Sequence, residues 1–373
     1  MLQNKIYQNF LSEIFKTFLM VLFGLSIIAL TVRAVSFLDL IVENGYPAST
    51  YFKFSLLNLF GIIPKFVPLS FLIALTVFIL KHIQDSEFII LWTSGVKKIH
   101  VVNLFFFSSI LIVLFYLLLS TLVTPAALNQ SRQLVSDDKL NSLLPTIKNQ
   151  RFSDTFKGFT FFVEKKIDNE IQNVFLYDKG NNLRNLSSNS SEINTTTIVA
   201  KNGFIDKKKL VLFNGQVISS KKNSSNEILK FEQLNIDLIN LSTTTIKNPK
   251  IQETSTLKLL SCLTTKLQKN NFCNEGFKKE ILPTLNRRIV IPFYIPILSL
   301  LSALLLIKSK KIYFNKIIVF SYSFSILLFT ELAVRYTGLN NILMTIFIII
   351  PFMLLAIIYL FLIYKFSKEI KTS

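Results

Sequence analysis

Apolar positions run along this chain in stretches too long for a soluble core, and one polar middle section interrupts them. About 20 consecutive apolar residues span a bilayer. Six such spans are predicted, at about 10–36, 53–80, 101–123, 289–307, 317–335 and 342–364. Between the third and fourth, from Phe152 to Leu241, the pattern changes to short alternating stretches: FTFFVEKKI, IQNVFLYDK, TTTIVAKNGFI, KLVLFNGQVI and ILKFEQLNIDL. The segments GNN, NGF, DKKK, NG and KKNSSN bound them and read as turns between strands. The fold class expected is a polytopic α-helical membrane protein, six transmembrane helices with an inserted all-β, jelly-roll-like domain. The division is 1–125, three spans with a short helix near 85–96; 126–283, the β domain with helical or irregular connectors; and 284–373, three further spans.

Charge orients this plan. Lys5 and Lys16 precede the first span, Lys81, Lys97 and Lys98 follow the second, and Lys308, Lys310, Lys311 and Lys316 separate the fourth from the fifth. With Lys365, Lys368 and Lys371 in the tail, all of these fall on one side of a six-span chain, which the positive-inside rule makes the cytoplasm. Both termini are then cytoplasmic and the β domain lies on the outer side of the membrane. The first loop carries Asp39 and Glu43 instead. The first apolar run exceeds the 7–15 residues usual in a signal peptide, so a retained helix is expected.

Composition removes several function classes. A chain that is 51% hydrophobic, with 36 Phe and a mean hydropathy of +0.48, is not an ordinary soluble enzyme. Its net charge of +19 is spread over membrane flanks and the polar section rather than gathered on one helix or arm, so nucleic acid is not an expected partner. The chain lacks G-x-x-x-x-G-K-[ST], H-E-x-x-H and G-x-S-x-G. Both histidines, His82 and His100, lie in the same cytoplasmic loop, leaving no His-based triad or metal site in the β domain. Asp137 and Asp138 read as solvated charge on a connector. No catalytic residue, cofactor or metal is expected. Cys262 and Cys273 are too few for a disulfide framework or a zinc site, and either pair or remain thiols.

Five cations oppose the inside bias: Arg33 near the outer end of the first span, Lys65 in the second, Arg287 and Arg288 at the start of the fourth, and Arg335 at the end of the fifth. Lys65 precedes Lys81 by 16 residues, about 24 Å of helix, which puts it near the outer edge of a core about 30 Å thick. One reading is snorkelling with an ion pair, for which Glu331 and Arg335 have the i,i+4 spacing. The other is a basic rim that takes the phosphates of an anionic lipid. Pro64 and Pro68 can kink the second span beside Lys65.

The loop after the second span reads DSEFIILWTSGVKKIH. Asp85 or Ser86 can cap a short helix, Glu87 lies in its first turn, and Gly95 can close it. Phe88, Leu91 and Trp92 follow helical spacing. Such a segment either rests its apolar face on the membrane or docks in the groove of a motor domain, with Glu87 as polar contact and Phe88 and Trp92 as anchors. The β domain is likewise either a self-packed spacer or a sheet whose face or edge takes an apolar ligand or another strand.

The run DSEFIILWTSGV resembles the S-E-[LI]-x-V-[ML]-x-A-x-G segment of the LptF/LptG (YjgP/YjgQ) permeases, matching at Ser86, Glu87 and Gly95, with Ser94 in place of Ala. Pro68 stands where those permeases carry a proline in the second span. TLNRRIVIPFYIPILSLLSALLL resembles their E-[LF]-H-R-R-x-x-x-P start of the fourth span, with Arg287, Arg288 and Pro292 matching, Thr284 for Glu and Asn286 for His. The three-span, β-domain, three-span plan agrees over essentially the whole chain, and VRAVSFLDLIVENG looks more like LptF than LptG. The resemblance implies an inner-membrane permease subunit of the ABC transporter that exports lipopolysaccharide in outer-membrane biogenesis. It implies a heterodimer with a second LptF/LptG-type permease, an LptB-type ATPase dimer, and LptC with an LptA-like periplasmic bridge that receives the lipid. It implies that the coupling helix comprises Glu87, Phe88, Leu91, Trp92 and Gly95, and that Arg33, Lys65, Arg287, Arg288 and Arg335 line the lipid cavity. The rival from another class is a membrane-anchored structural or sensor protein whose β domain binds a periplasmic partner.

Overall fold

The computed structural model describes residues 5–38, 47–141, 149–156, 158–167, 169–179, 193–206, 209–221, 227–237, 250–264, 275–307 and 312–372. Asp39, Glu43, Cys273, Lys308, Lys310 and Lys311 lie outside them. The chain forms two compact units. Residues 1–33, 56–129 and 249–373 make the first, and 34–55 with 130–248 the second.

Long apolar helices build the first unit. They are α1 (Lys5–Phe37), α2 (Ala48–Gln84), the short α3 (Glu87–Thr93), and α4 (Lys98–Leu118), which continues through a π-helical turn (Leu119–Val123) into α5 (Thr124–Asn141). After the β domain follow α6 (Thr256–Thr264), α7 (Glu275–Ile289), a 3-10 turn (Ile291–Tyr294), α8 (Ile295–Ala303), α9 (Ile312–Tyr336) and α10 (Asn341–Thr372). Five helical stretches are long and apolar enough to cross a membrane, and a sixth forms if Lys279–Ile289 and Ile291–Leu306, bent by 43°, count as one broken span. The expected fourth span is that broken one. It begins earlier than hydropathy suggested, because its first turns carry Lys279, Glu280, Arg287 and Arg288.

Pro292 explains the break. It has no N–H for the carbonyl four residues back and its ring crowds that turn. α8 then runs through the centre of the bundle, buried at Ile295, Ile297, Leu298, Leu300 and Ala303. α1 packs by one stripe, Phe10, Ile14, Phe18, Leu22 and Ser26, each four residues from the last. Apolar residues are exposed on its other faces, as at Met20, Phe23, Ile28 and Val32.

In the second unit, six antiparallel strands follow one another in the order β1-β2-β3-β4-β5-β6 (Phe152–Phe156, Phe159–Ile167, Glu170–Asp178, Ile193–Asp206, Lys209–Lys221 and Glu227–Asp237). The alternation in FTFFV becomes a buried face of Phe159, Phe161 and Val163. Their core partners, among them Val174, Leu176, Ile198, Leu212 and Ile236, all come from the same sheet, so the sheet curls to cover its own face. Two expected turns are instead mid-strand: Asn202-Gly203 lies inside β4 and Asn214-Gly215 inside β5. Asn173 and Asn214 take positive φ of 50° and 52°, bending β3 and β5. At Gly215 a Cβ would collide with the Val199 carbonyl and the Phe231 ring, so this glycine serves close strand approach rather than reversal.

Candidate functional site

Prolines inside membrane-depth helices leave carbonyls unbonded, and each must find another donor where water is absent. Pro64 frees the Phe60 carbonyl, which accepts from Thr124 Oγ1 at 2.7 Å. Pro292 frees the Arg288 carbonyl, which accepts from Ser120 Oγ at 3.0 Å. Pro351 frees the Phe347 carbonyl, which accepts from the Tyr294 hydroxyl at 3.3 Å. The π-helical turn frees carbonyls in the same way. That of Thr121 accepts from Thr256 Oγ1 at 2.9 Å.

Two of these joints frame a cavity of about 90 Å³ lined by Gly61, Pro64 and Lys65 of α2, Tyr116, Ser120 and Thr124 on the α4–α5 side, and Thr284, Arg287 and Arg288 of α7. Three of the five predicted cations therefore share one cavity, although 222 residues separate Lys65 from Arg287 in sequence. Arg33 and Arg335 do not line it and are exposed on their own helices.

The three cations differ in what already holds them. Arg288 is only 6% exposed. Its Nη1 donates to the Thr254 carbonyl at 2.9 Å and Thr256 Oγ1 at 3.0 Å, and its Nη2 to the Gln252 carbonyl at 2.8 Å. Arg288, expected to line the lipid cavity, lines this one and also clamps the 251–256 connector to the fourth span. Arg287 pairs with Glu331 of α9, so Glu331 does not wait for Arg335 as the i,i+4 spacing suggested. The Arg287 backbone carbonyl accepts from the Tyr116 hydroxyl at 3.1 Å, which fixes the turn that presents its side chain. Lys65 is exposed toward the cavity. Asn286, where the resembling family carries His, is buried with its Nδ2 unbonded.

The segment after α2 forms the expected short helix, with different end chemistry. Ser86 adopts φ 58° and makes no side-chain cap; its carbonyl takes the Ile89 and Ile90 N–H groups. At the other end Gly95 has φ +91°. The Val96 N–H bonds the Leu91 carbonyl and the Gly95 N–H that of Trp92, a Schellman closure for which glycine is suited.

Phe88, expected as an anchor on a partner, is 1% exposed and belongs to the core together with Leu91, 9% exposed. Trp92 is half-buried, stacked on Phe88 with ring centroids 5.9 Å apart, under Lys98 Nζ at 4.6 Å. The outward residues are Glu87, Ile89 and Ile90, the last two 55% and 65% exposed. Apolar burial turned Phe88 inward, because Phe10, Phe78 and His82 already form a ring-lined pocket for it. His82 was missed as a site residue. A glutamate inside the first predicted span, Glu13, was the signal that could have found it, since intramembrane acids seek partners.

Cys262 is disulfide-bonded. Among the described residues no cluster of His, Cys, Asp and Glu could hold a metal ion. No curated protein matches the chain. The family model described as lipopolysaccharide export system permease LptF/LptG matches residues 9–365 of the 373.

Proposed function

The chain belongs to the lipopolysaccharide export permease family LptF/LptG, and from that premise we propose that it is a transmembrane subunit, LptF-like, of an ABC transporter that lifts lipopolysaccharide out of the inner membrane. Its partners are a second permease of the family, an ATPase dimer that supplies the energy this chain cannot, and LptC with the periplasmic bridge. The observation that carries the reading is the shared cavity of Lys65 and Arg287, two cations at membrane depth where an unpaired charge is costly. A lipid phosphate answers both, Lys65 as a mobile point charge and Arg287 as a planar fork able to exchange Glu331 for phosphate.

Orientation follows the lysine-rich short loops, which put the termini and α3 in the cytoplasm and the sheet in the periplasm. α3 is then the coupling helix, docking by Ile89 and Ile90 with Glu87 beside them, while Phe88 and Leu91 carry the push into the bundle. In the β domain the acyl chains leave along the curled sheet, in which β1 and β6 are the edge strands among the described residues and the places for strand addition.

Gentle extraction of the tagged full chain from its native membrane tests this. Recovery of a second six-span permease, a P-loop ATPase and bound lipopolysaccharide is expected. Lys65→Glu should keep the proteins and lower the lipid by about tenfold, the effect of losing one charge-assisted contact. Recovery of the chain alone, from an extract in which a known membrane complex survives, would overturn the reading.

A further inference from the structure

His82 is 2% exposed, the ring packed among Phe78, Phe10 and Phe88 with centroids at 4.0, 5.0 and 5.6 Å. Its Nδ1 lies 2.9 Å from the Phe78 carbonyl, which can only accept, so Nδ1 donates. Its Nε2 lies 3.2 Å from Glu87 Oε2 and 3.4 Å from Glu13 Oε2. Glu13 also takes Lys81 Nζ at 2.6 Å. One buried imidazole edge thus joins a carboxylate of α1 to a carboxylate of α3.

An aliphatic residue would fill this pocket without the cost of burying a polar ring. Packing alone, such as Phe10 against Phe88 at 6.2 Å, resists compression between α1 and α3 but offers little against separation. Contacts from one ring nitrogen to a carboxylate on each helix resist both. The Nε2 contact also fixes the direction in which Glu87 points, so the helix is held in rotation as well as position.

We propose that His82 is a positioning residue that makes α1 and α3 move as one, so that a displacement of α3 in either direction arrives at the first span. This rests on the coupling-helix reading above. α1 is suited to respond, since its buried residues form a single stripe.

The test uses the full permease–ATPase complex in proteoliposomes loaded with lipopolysaccharide, reading lipid released per ATP hydrolysed. His82→Phe keeps an aromatic ring in the pocket and removes both ring nitrogens, while Glu13→Gln weakens the bridge at its α1 end. Both variants are expected to hydrolyse ATP within about twofold of the wild type and to release at least about fivefold less lipid per ATP, the lower range of coupling between linked sites. The double variant should lose no more than His82→Phe alone, because both changes cut the same link. A damaged fold would lower hydrolysis and release together and leave their ratio alone. An unchanged ratio in Glu13→Gln, in an active complex, overturns the inference whatever His82→Phe does to folding. A wild-type complex that releases no lipid with ATP overturns the coupling reading and this inference with it.

Discussion

Two adjacent arginines on α7 show how little residue type says about role. Arg287 lies along the cavity with an exchangeable carboxylate partner, whereas Arg288 satisfies two carbonyls and a hydroxyl of the connector. Removing Arg288 leaves the buried Thr254 carbonyl without this donor, a cost of about 1–3 kcal/mol. Arg288→Ala is therefore expected to lower the thermal stability of the purified complex, while the folded fraction keeps its lipopolysaccharide within about twofold, since the lost bonds are internal. Lipid loss as large as that of Lys65→Glu would return Arg288 to the phosphate site. Sequence reading grouped these two arginines with the other outer-edge cations but could not divide them, because their partners Gln252 and Glu331 lie 36 and 44 residues away. Asn-Gly pairs misled for a related reason. The dipeptide marks a need for unusual backbone freedom, and a turn and a strongly bent strand meet that need equally well.

At the scale of elements, hydropathy found the long helices because roughly 20 apolar residues have few other uses. It misplaced the fourth span, whose first turns are polar and whose core is short and proline-broken. The amphipathic helix after α2 was legible from Glu87 and Gly95, but its facing was not, since Phe88 and Ile90 are equally apolar and only the surrounding aromatic rings decide which turns inward. The hydroxyl-capped proline joints also define how elements hold together. Thr124→Val leaves the Phe60 carbonyl without its donor, and a loss of about 0.6–1.7 kcal/mol is expected from the range for interhelical hydrogen bonds in membranes. Chemical unfolding of the reconstituted chain measures it. Adding Pro64→Ala should restore most of the loss by giving that carbonyl a backbone donor again.

Among the described residues the helical bundle and the sheet have separate cores that share no residue, and Leu259, Ile281 and Leu285 form a small third cluster between α6 and α7. Leu176, fully buried in the sheet, reports on the second alone. Leu176→Ala should destabilise the β domain by about 2–5 kcal/mol. Hydrogen exchange on the intact chain is expected to quicken in β2 to β5 while α4 and α8 keep wild-type protection; uniform quickening would mean one cooperative unit. The division into spans and insertion was legible at this scale because the two parts obey different periods, 3.6 and 2. The proline joints bear on the molecule's history as well as its stability. A helix proline and the hydroxyl across from it are needed only together, so among relatives a chain that loses the proline of position 64 is released from any need for threonine at 124. The pair should drift as a unit, leaving a record of the joint in sequences whose structures no one has seen.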